Sequence, residues 1–260
     1  MKVIDSISEL YSYRSVLAQL VRQQLVLRYR RTFLGYLWTL INPLITMTIT
    51  AFVFSTLLGM DLKEFVVYLF SGLMAWNCFS GVVTQSSGAF IANEALIKKI
   101  YLPKIIFPLC QSLAVLVDSF LSFLAIYIII LLVNQEISWS IFFIPAAYLI
   151  VFIFSLGIAL IFSVATVFYR DLQYVITILM QAWFFLTPVM YKVSAVSPEA
   201  AYFIKLNPVT PFIELFRGPL FLNEMPDTSI IATCCLYAAI SMLLGILVLV
   251  KKKNFIIYRL

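Results

Sequence analysis

Histidine occurs nowhere in the 260 residues. That absence removes the commonest general base and the most frequent protein ligand of zinc and haem. Charge is scarce too: Asp, Glu, Lys and Arg together make up 12% of the chain, against roughly a quarter in soluble domains. All four cysteines (Cys78, Cys110, Cys234 and Cys235) stand inside apolar runs without metal-ligand spacing. They read as small buried side chains rather than a disulfide framework or a metal site. No Gly-x-x-x-x-Gly-Lys-Ser/Thr stretch occurs, which excludes ATP binding through that phosphate-cradling loop. Without histidine or a clustered acid pair, an integral-membrane enzyme is disfavoured. Repeats and low-complexity tracts are missing, and no short apolar segment in the first 32 residues ends at a small-residue cleavage site. No cleaved leader is therefore expected.

What the chain has in abundance is apolar sequence: 63% of its residues are hydrophobic, and its mean hydropathy is +1.03. Crossing a bilayer takes about 20 mostly apolar residues. Six runs qualify, at 33–58, 65–92, 105–133, 139–168, 172–190 and 229–250. The expected fold is an all-α integral membrane protein, a single transmembrane domain over 1–260. Its parts would be an interface segment at 1–32, a six-span bundle at 33–250 and a tail at 251–260. Ahead of the first span, Leu10, Tyr13, Leu17, Leu20, Val21 and Leu25 fall on one helical face, while Arg14, Arg22 and Gln23 fall elsewhere. This spacing predicts an amphipathic helix in the membrane interface, followed by the basic cluster Arg28, Arg30 and Arg31.

Connecting segments alternate in charge. The N-terminal segment holds six basic residues against Asp5 and Glu9, net +4; Lys98, Lys99 and Lys104 against Glu94 give +2; Lys251, Lys252, Lys253 and Arg259 give +4. Arg170 and Asp171 cancel between spans four and five. The three intervening connections each sum to −1. Lys and Arg near span ends mark the cytoplasmic side, so both termini are expected inside. The basic excess is thus an orientation signal, and no nucleic-acid partner is expected. Arg170 and Asp171, a costly pair at mid-membrane, then belong to a tight cytoplasmic turn. Asp171 is expected to cap the helix of span five, and Arg170 to reach headgroups or a neighbour.

Several spans carry polar stripes at helical spacing: Thr39, Asn42, Thr46 and Thr50; Asn77, Gly81, Thr84 and Gly88; Gln111, Asp118 and Ser122; Tyr174, Thr177 and Gln181, with Phe184. Lipid cannot satisfy these groups, so they face protein or water. For span two, with its glycines, helix packing is the preferred reading. Spans one and five combine amides and hydroxyls with Tyr36, Trp38, Trp183, Phe184 and Phe185, a lining suited to sugars; interfacial anchoring is the other reading for Tyr36 and Trp38. Asp118, alone among acidic residues in lying deep within a span, reads as a structural or gating residue.

The connection 191–228 carries two helix-start signals, Ser197-Pro198 and Thr210-Pro211. They predict two short amphipathic helices at the outer surface, which either gate an exit or cover the bundle. On the other side, Asn93-Glu-Ala-Leu-Ile-Lys-Lys-Ile-Tyr-Leu-Pro-Lys reads either as a docking helix for a separate subunit or as a positive-inside anchor.

Five segments resemble those of the transmembrane permeases of type-2 ABC exporters, in the polysaccharide-export branch serving O-antigen, capsule or teichoic acid. These are Tyr29-Arg-Arg-Thr-Phe-Leu-Gly-Tyr-Leu-Trp-Thr-Leu-Ile-Asn-Pro-Leu, the 93–104 segment quoted above, Phe168-Tyr-Arg-Asp-Leu-Gln-Tyr, Phe185-Leu-Thr-Pro-Val-Met-Tyr and Leu206-Asn-Pro-Val-Thr-Pro. Their order and spacing on a six-span frame carry the resemblance. It implies a homodimer in the inner membrane, bound to two copies of a cytoplasmic ATPase that holds ATP and Mg, and moving a lipid-linked polysaccharide. This chain itself would bind no cofactor and catalyse no reaction.

On that resemblance, Tyr36, Trp38, Asn42, Tyr174, Thr177, Gln181, Trp183 and Phe184 would line the substrate pathway. Arg28, Arg30 and Arg31 would meet lipid pyrophosphate at the entrance, as suits bidentate arginine. Glu94, Lys98, Lys99, Tyr101, Arg170 and Asp171 would couple to the ATPase, and Pro198, Asn207, Pro208 and Pro211 would belong to the gate. The tail after Lys253 is shorter than the family's and is given no role. A drug or lipid substrate is the alternative within this architecture. An ion-coupled carrier would need intramembrane charge partners, and only Asp118 is offered.

Overall fold

A computed structural model of the chain describes residues 11–29, 34–59, 61–132 and 138–260. All regular structure among them is helical. We number the helices α1 Arg14–Tyr29, α2 Trp38–Leu58, α3 Leu62–Ser87, α4 Ala89–Ala92, α5 Glu94–Lys99, α6 Ile106–Leu132, α7 Ile144–Phe168, α8 Leu172–Leu186, α9 Pro198–Leu206, α10 Thr210–Arg217 and α11 Thr228–Arg259.

Local chemistry sets the boundaries. Gly59 ends α2 in the left-handed region (φ 64°), its N–H reaching the Ser55 carbonyl, a conformation that costs glycine little. Two residues later Asp61 opens α3, its Oδ2 accepting from the N–H groups of Lys63 (3.0 Å) and Glu64 (3.3 Å). The helix α8 stops at Leu186 because Pro188 holds the preceding Thr187 extended (φ −102°, ψ 132°).

Among the described residues five helical segments are long and apolar enough to cross a membrane: Leu40–Leu57, Leu62–Ser87, Ile106–Leu124, Trp139–Phe168 and Thr228–Arg259. The expected fifth span, 172–190, is a helix of 15 residues. At 1.5 Å per residue it reaches about 22 Å, short of the ~30 Å hydrocarbon thickness. The last helix departs from expectation in the other direction. It runs past 250 through Lys251–Lys253 to Arg259, since no Gly or Pro follows Gly245 and Ile256 in its last turn is fully buried.

The bundle is organised around α3, which is buried along most of its length and packs against α2, α6, α7, α8 and α10. Against α7 lies α11, and their contact depends on two glycines. A Cβ on Gly157 would overlap the Ser241 backbone, and one on Gly245 the Gly157 carbonyl oxygen. Close backbone approach of this kind is how membrane helices gain packing energy where lipid offers no hydrophobic drive. Ser241 Oγ adds a bond to the Phe154 carbonyl at 2.9 Å.

Ahead of the first span, five of the six residues of the predicted face are described, Leu10 lying outside the described residues. Tyr13, Leu17, Leu20, Val21 and Leu25 are half-buried, Arg14, Arg22 and Gln23 exposed, and α1 lies along α6. The second outer helix does not follow expectation. α10 lies inside the bundle rather than on its surface, with Phe212, Ile213, Leu215 and Phe216 fully buried. Phe212 stacks on Phe154 (4.5 Å, 24°), and Phe216 meets Tyr148 edge-on (4.9 Å, 89°). Each such pair contributes roughly 0.5–1.5 kcal/mol beyond area burial.

Candidate functional site: a polar groove and a charged platform

Within α3, buried along most of its length, Asn77 and Gln85 are exposed two helical turns apart, with Gly81 between them. This row is the floor of a groove. One lobe, of about 420 Å³, is walled by Trp38, Asn42 and Thr46 of α2 and by Asp118, Ser119 and Ser122 of α6. The other lobe, of about 540 Å³, is walled by Thr177, Gln181, Phe184 and Phe185 of α8, with Trp76, Ser80 and Thr84 of α3. Leu73, Asn77 and Gly81 belong to both lobes. The polar stripe of span two therefore faces the groove while its glycines serve packing: an added Cβ would stand 3.0 Å from Val115 Cγ1 of α6 at Gly81 and 2.7 Å from Gln173 Nε2 of α8 at Gly88.

Of the residues assigned to a pathway from sequence, Trp38, Asn42, Thr177, Gln181 and Phe184 come together around this groove. Tyr174 is exposed near the start of α8, outside both linings. Trp183 points elsewhere: its Nε1 donates to Asn207 Oδ1 at 3.0 Å and its ring meets Phe79 edge-on. The side chains of Tyr36 and Arg28 lie outside the described residues, as do Arg30 and Arg31 entirely. Gln85 was missed by sequence reasoning, although its four-residue spacing from Gly81 extends the span-two stripe.

The loop 93–104 and the turn 169–171, distant in sequence, meet on one face. Glu94 Oε1 holds Lys98 Nζ at 2.6 Å, and its Oε2 lies 3.8 Å from Arg170 Nη2. The hydrogen bond from Lys98, reinforced by the charges of Lys98 and Arg170, holds the Glu94 carboxyl below its usual range. Buried Ile97 and Leu102 anchor the loop, while Lys98, Lys99 and Tyr101 remain exposed. The Asp171 side chain does not cap α8. Its own backbone is already helical (ψ −20°), whereas a capping side chain turns back from extended backbone, as Asp61 does at ψ 130°.

At the opposite end Asn207 ties three segments. Its Oδ1 accepts from Trp183 Nε1 and from the Val209 N–H at 3.0 Å; its Nδ2 donates to Thr187 Oγ1 at 2.9 Å. Pro198 occupies the first position of α9, with Ser197 Oγ accepting from the Ala200 N–H. Pro208 precedes α10, and Pro211 lies in its first turn. Thr210 is not the cap expected of it, since it is already helical and its hydroxyl donates to the Ile204 carbonyl at 2.8 Å. Arg217, also missed from sequence, is buried. Its guanidinium donates to the Pro188 (2.6 Å) and Val189 (2.9 Å) carbonyls and lies 3.9 Å above the Tyr68 ring. A cation directly after the apolar pair Leu215-Phe216 was the available sign.

Among the described residues no group of three or more His, Cys, Asp or Glu converges as a metal site would. The groove instead offers amides, hydroxyls and aromatic faces to a polar, uncharged occupant.

The family profile described as ABC-2 type transporter matches residues 15–221. The chain belongs to this family. As an ABC-2 chain with several long apolar helices, it is a multi-pass membrane protein. It is similar to the O-antigen export system permease protein RfbA of Myxococcus xanthus, 30% identical over 227 residues, covering 86% of this chain and 87% of that protein. A Klebsiella pneumoniae protein of the same name is 30% identical over 213 residues, covering 80% of each. The polysialic acid transport protein KpsM of Escherichia coli is 23% identical over 235 residues, covering 84% and 86%.

Proposed function

We propose that this chain is the channel-forming permease subunit of an ATP-driven exporter that moves a lipid-linked polysaccharide across the inner membrane. The observation that carries this reading is the two-lobed polar and aromatic groove in an ABC-2 chain similar to O-antigen export permeases. Amides and hydroxyls replace water around a glycan without holding any one unit tightly, and aromatic faces meet the C–H faces of sugar rings.

In this reading the chain crosses the membrane six times with both termini inside, α8 and residues 187–192 together making the fifth crossing. Exposed apolar faces on α2 (Ile45, Ile49, Phe52) and α8 (Ile178, Phe185, Leu186) flank the groove, and a second copy covers them to close a channel. Two copies of a separate ATPase bind ATP and Mg and dock on α5 and the 169–171 turn. Arg28, Arg30 and Arg31 meet the carrier pyrophosphate at the inner entrance. The segment tied by Asn207 forms the outer gate.

The test is genetic and direct. Deleting the gene abolishes surface polysaccharide and leaves lipid-linked polymer inside the cell, and a plasmid copy restores export. Undiminished surface polymer in the deletion strain refutes the reading.

A further inference from the structure

The far end of α11 carries a face that neither the groove nor the α5 platform uses. At 1.5 Å per residue its 32 residues extend about 48 Å, enough to cross a bilayer of ~40–45 Å with its headgroup layers included. The apolar stretch ends at Val250, which puts residues 251–259 at headgroup depth. Helical spacing gathers Lys251, Lys252, Phe255, Tyr258 and Arg259 onto one face, about a third of the circumference, and all five are exposed. Ile256 is fully buried, and Leu260 packs against the same core cluster. No acidic residue occurs in α11. Aromatic rings position two of the cations. Lys252 Nζ lies 5.9 Å from the Phe168 ring centroid and 5.7 Å from that of Phe255, and Arg259 Cζ lies 6.0 Å from that of Phe168. Attraction to one ring thus holds two like charges near each other, against their mutual repulsion. An anion shared between them relieves that repulsion.

We propose that this face binds the headgroups of anionic phospholipids. Basic clusters directly after a membrane helix attract such lipids, and at headgroup depth the face meets lipid ahead of any soluble protein. Lys252 and Arg259 share one phosphate beside Phe168, with arginine suited to paired contact. Lys251 reaches a neighbouring phosphate, while Phe255 and Tyr258 settle among the glycerol groups, where aromatic rings are favoured. The inference requires only that α11 crosses the membrane, and it is independent of what the groove carries.

The experiment is native mass spectrometry of the full-length permease in detergent, with dioleoylphosphatidylglycerol and dioleoylphosphatidylcholine added at equal concentration. The acyl chains match, so the adducts report the headgroup alone. Each cation near an anionic surface contributes about fivefold in binding. Wild-type protein is expected to retain the phosphatidylglycerol roughly tenfold or more over the phosphatidylcholine. Lys251→Gln, Lys252→Gln and Arg259→Gln combined bring that ratio close to unity. Lys63→Gln with Lys205→Gln, which removes exposed cations of α3 and α9, leaves it unchanged. Should the triple variant fail to extract, each single variant is expected to lower the ratio about fivefold. Equal retention of the two lipids by wild type, an unchanged ratio in the α11 variants, or an equal loss in the Lys63 and Lys205 variant overturns the assignment. An unchanged ratio with loss of the ATPase in copurification identifies a protein-docking surface instead, and equally removes the lipid site.

Discussion

Single residues hold this bundle together where backbones touch or where a charge is buried. Gly157 and Gly245 leave no room for a side chain at the crossing of α7 and α11. Gly157→Leu is expected to cost about 3 kcal/mol or more through overpacking, read as loss of monodisperse protein after detergent extraction. Arg217 satisfies the carbonyls of Pro188 and Val189 just beyond α8. Arg217→Ala leaves both unpaired inside the protein, a cost of about 3 kcal/mol that should lower the thermal midpoint, while Arg217→Lys, with fewer and less rigid donors, loses less. Capping shows how far single residues are legible in sequence. Asp61 and Ser197 cap as their residue type suggests, and Asp171 and Thr210 do not. Residue type sets the capacity to cap; the backbone conformation that allows it depends on the surrounding turn.

At the scale of elements, the most consequential junction is α5 with the 169–171 turn. Glu94 links Lys98 to Arg170, and Gln173 sits against Gly88, so displacement of α5 acts on the start of the groove-lining α8. Charge reversal at Lys98 and Lys99 is expected to reduce copurification of the ATPase at least severalfold, with the permease level unchanged. The Glu94 carboxyl is held low, so its contribution is fully present above the ordinary glutamate value of about 4.3 and disappears as pH falls through the lowered value. The difference in thermal midpoint between wild type and Glu94→Gln should stay constant from neutral pH to about pH 5 and vanish in stronger acid. Long apolar helices were legible because hydropathy alone defines them. The burial of α10 was not, because an amphipathic segment such as Thr210–Arg217 suits a membrane surface and a protein interior equally. The span-two row was legible only in part: its glycines pack, at Gly81 and Gly88, while Asn77 lines the groove, and only the positions of α2, α6 and α8 show which residue does which.

For the whole molecule, composition, charge alternation and the apolar runs pointed to a helical membrane protein, and the family match agrees. What sequence could not convey is that α2, α3, α6 and α8 enclose one groove, since that depends on which faces meet. Topology reporters are expected to put the region of Lys98 inside and that of Glu199 outside; both on one side would contradict six crossings. The central claim, glycan movement through this groove, is tested most directly in proteoliposomes containing the permease and its ATPase, supplied with a lipid-linked glycan. The account predicts ATP-dependent passage of the glycan to the far leaflet, slowed at least tenfold by Gln181→Leu combined with Asn77→Leu while ATPase assembly holds. Passage without ATP, or passage at an unchanged rate in that double variant, would contradict it.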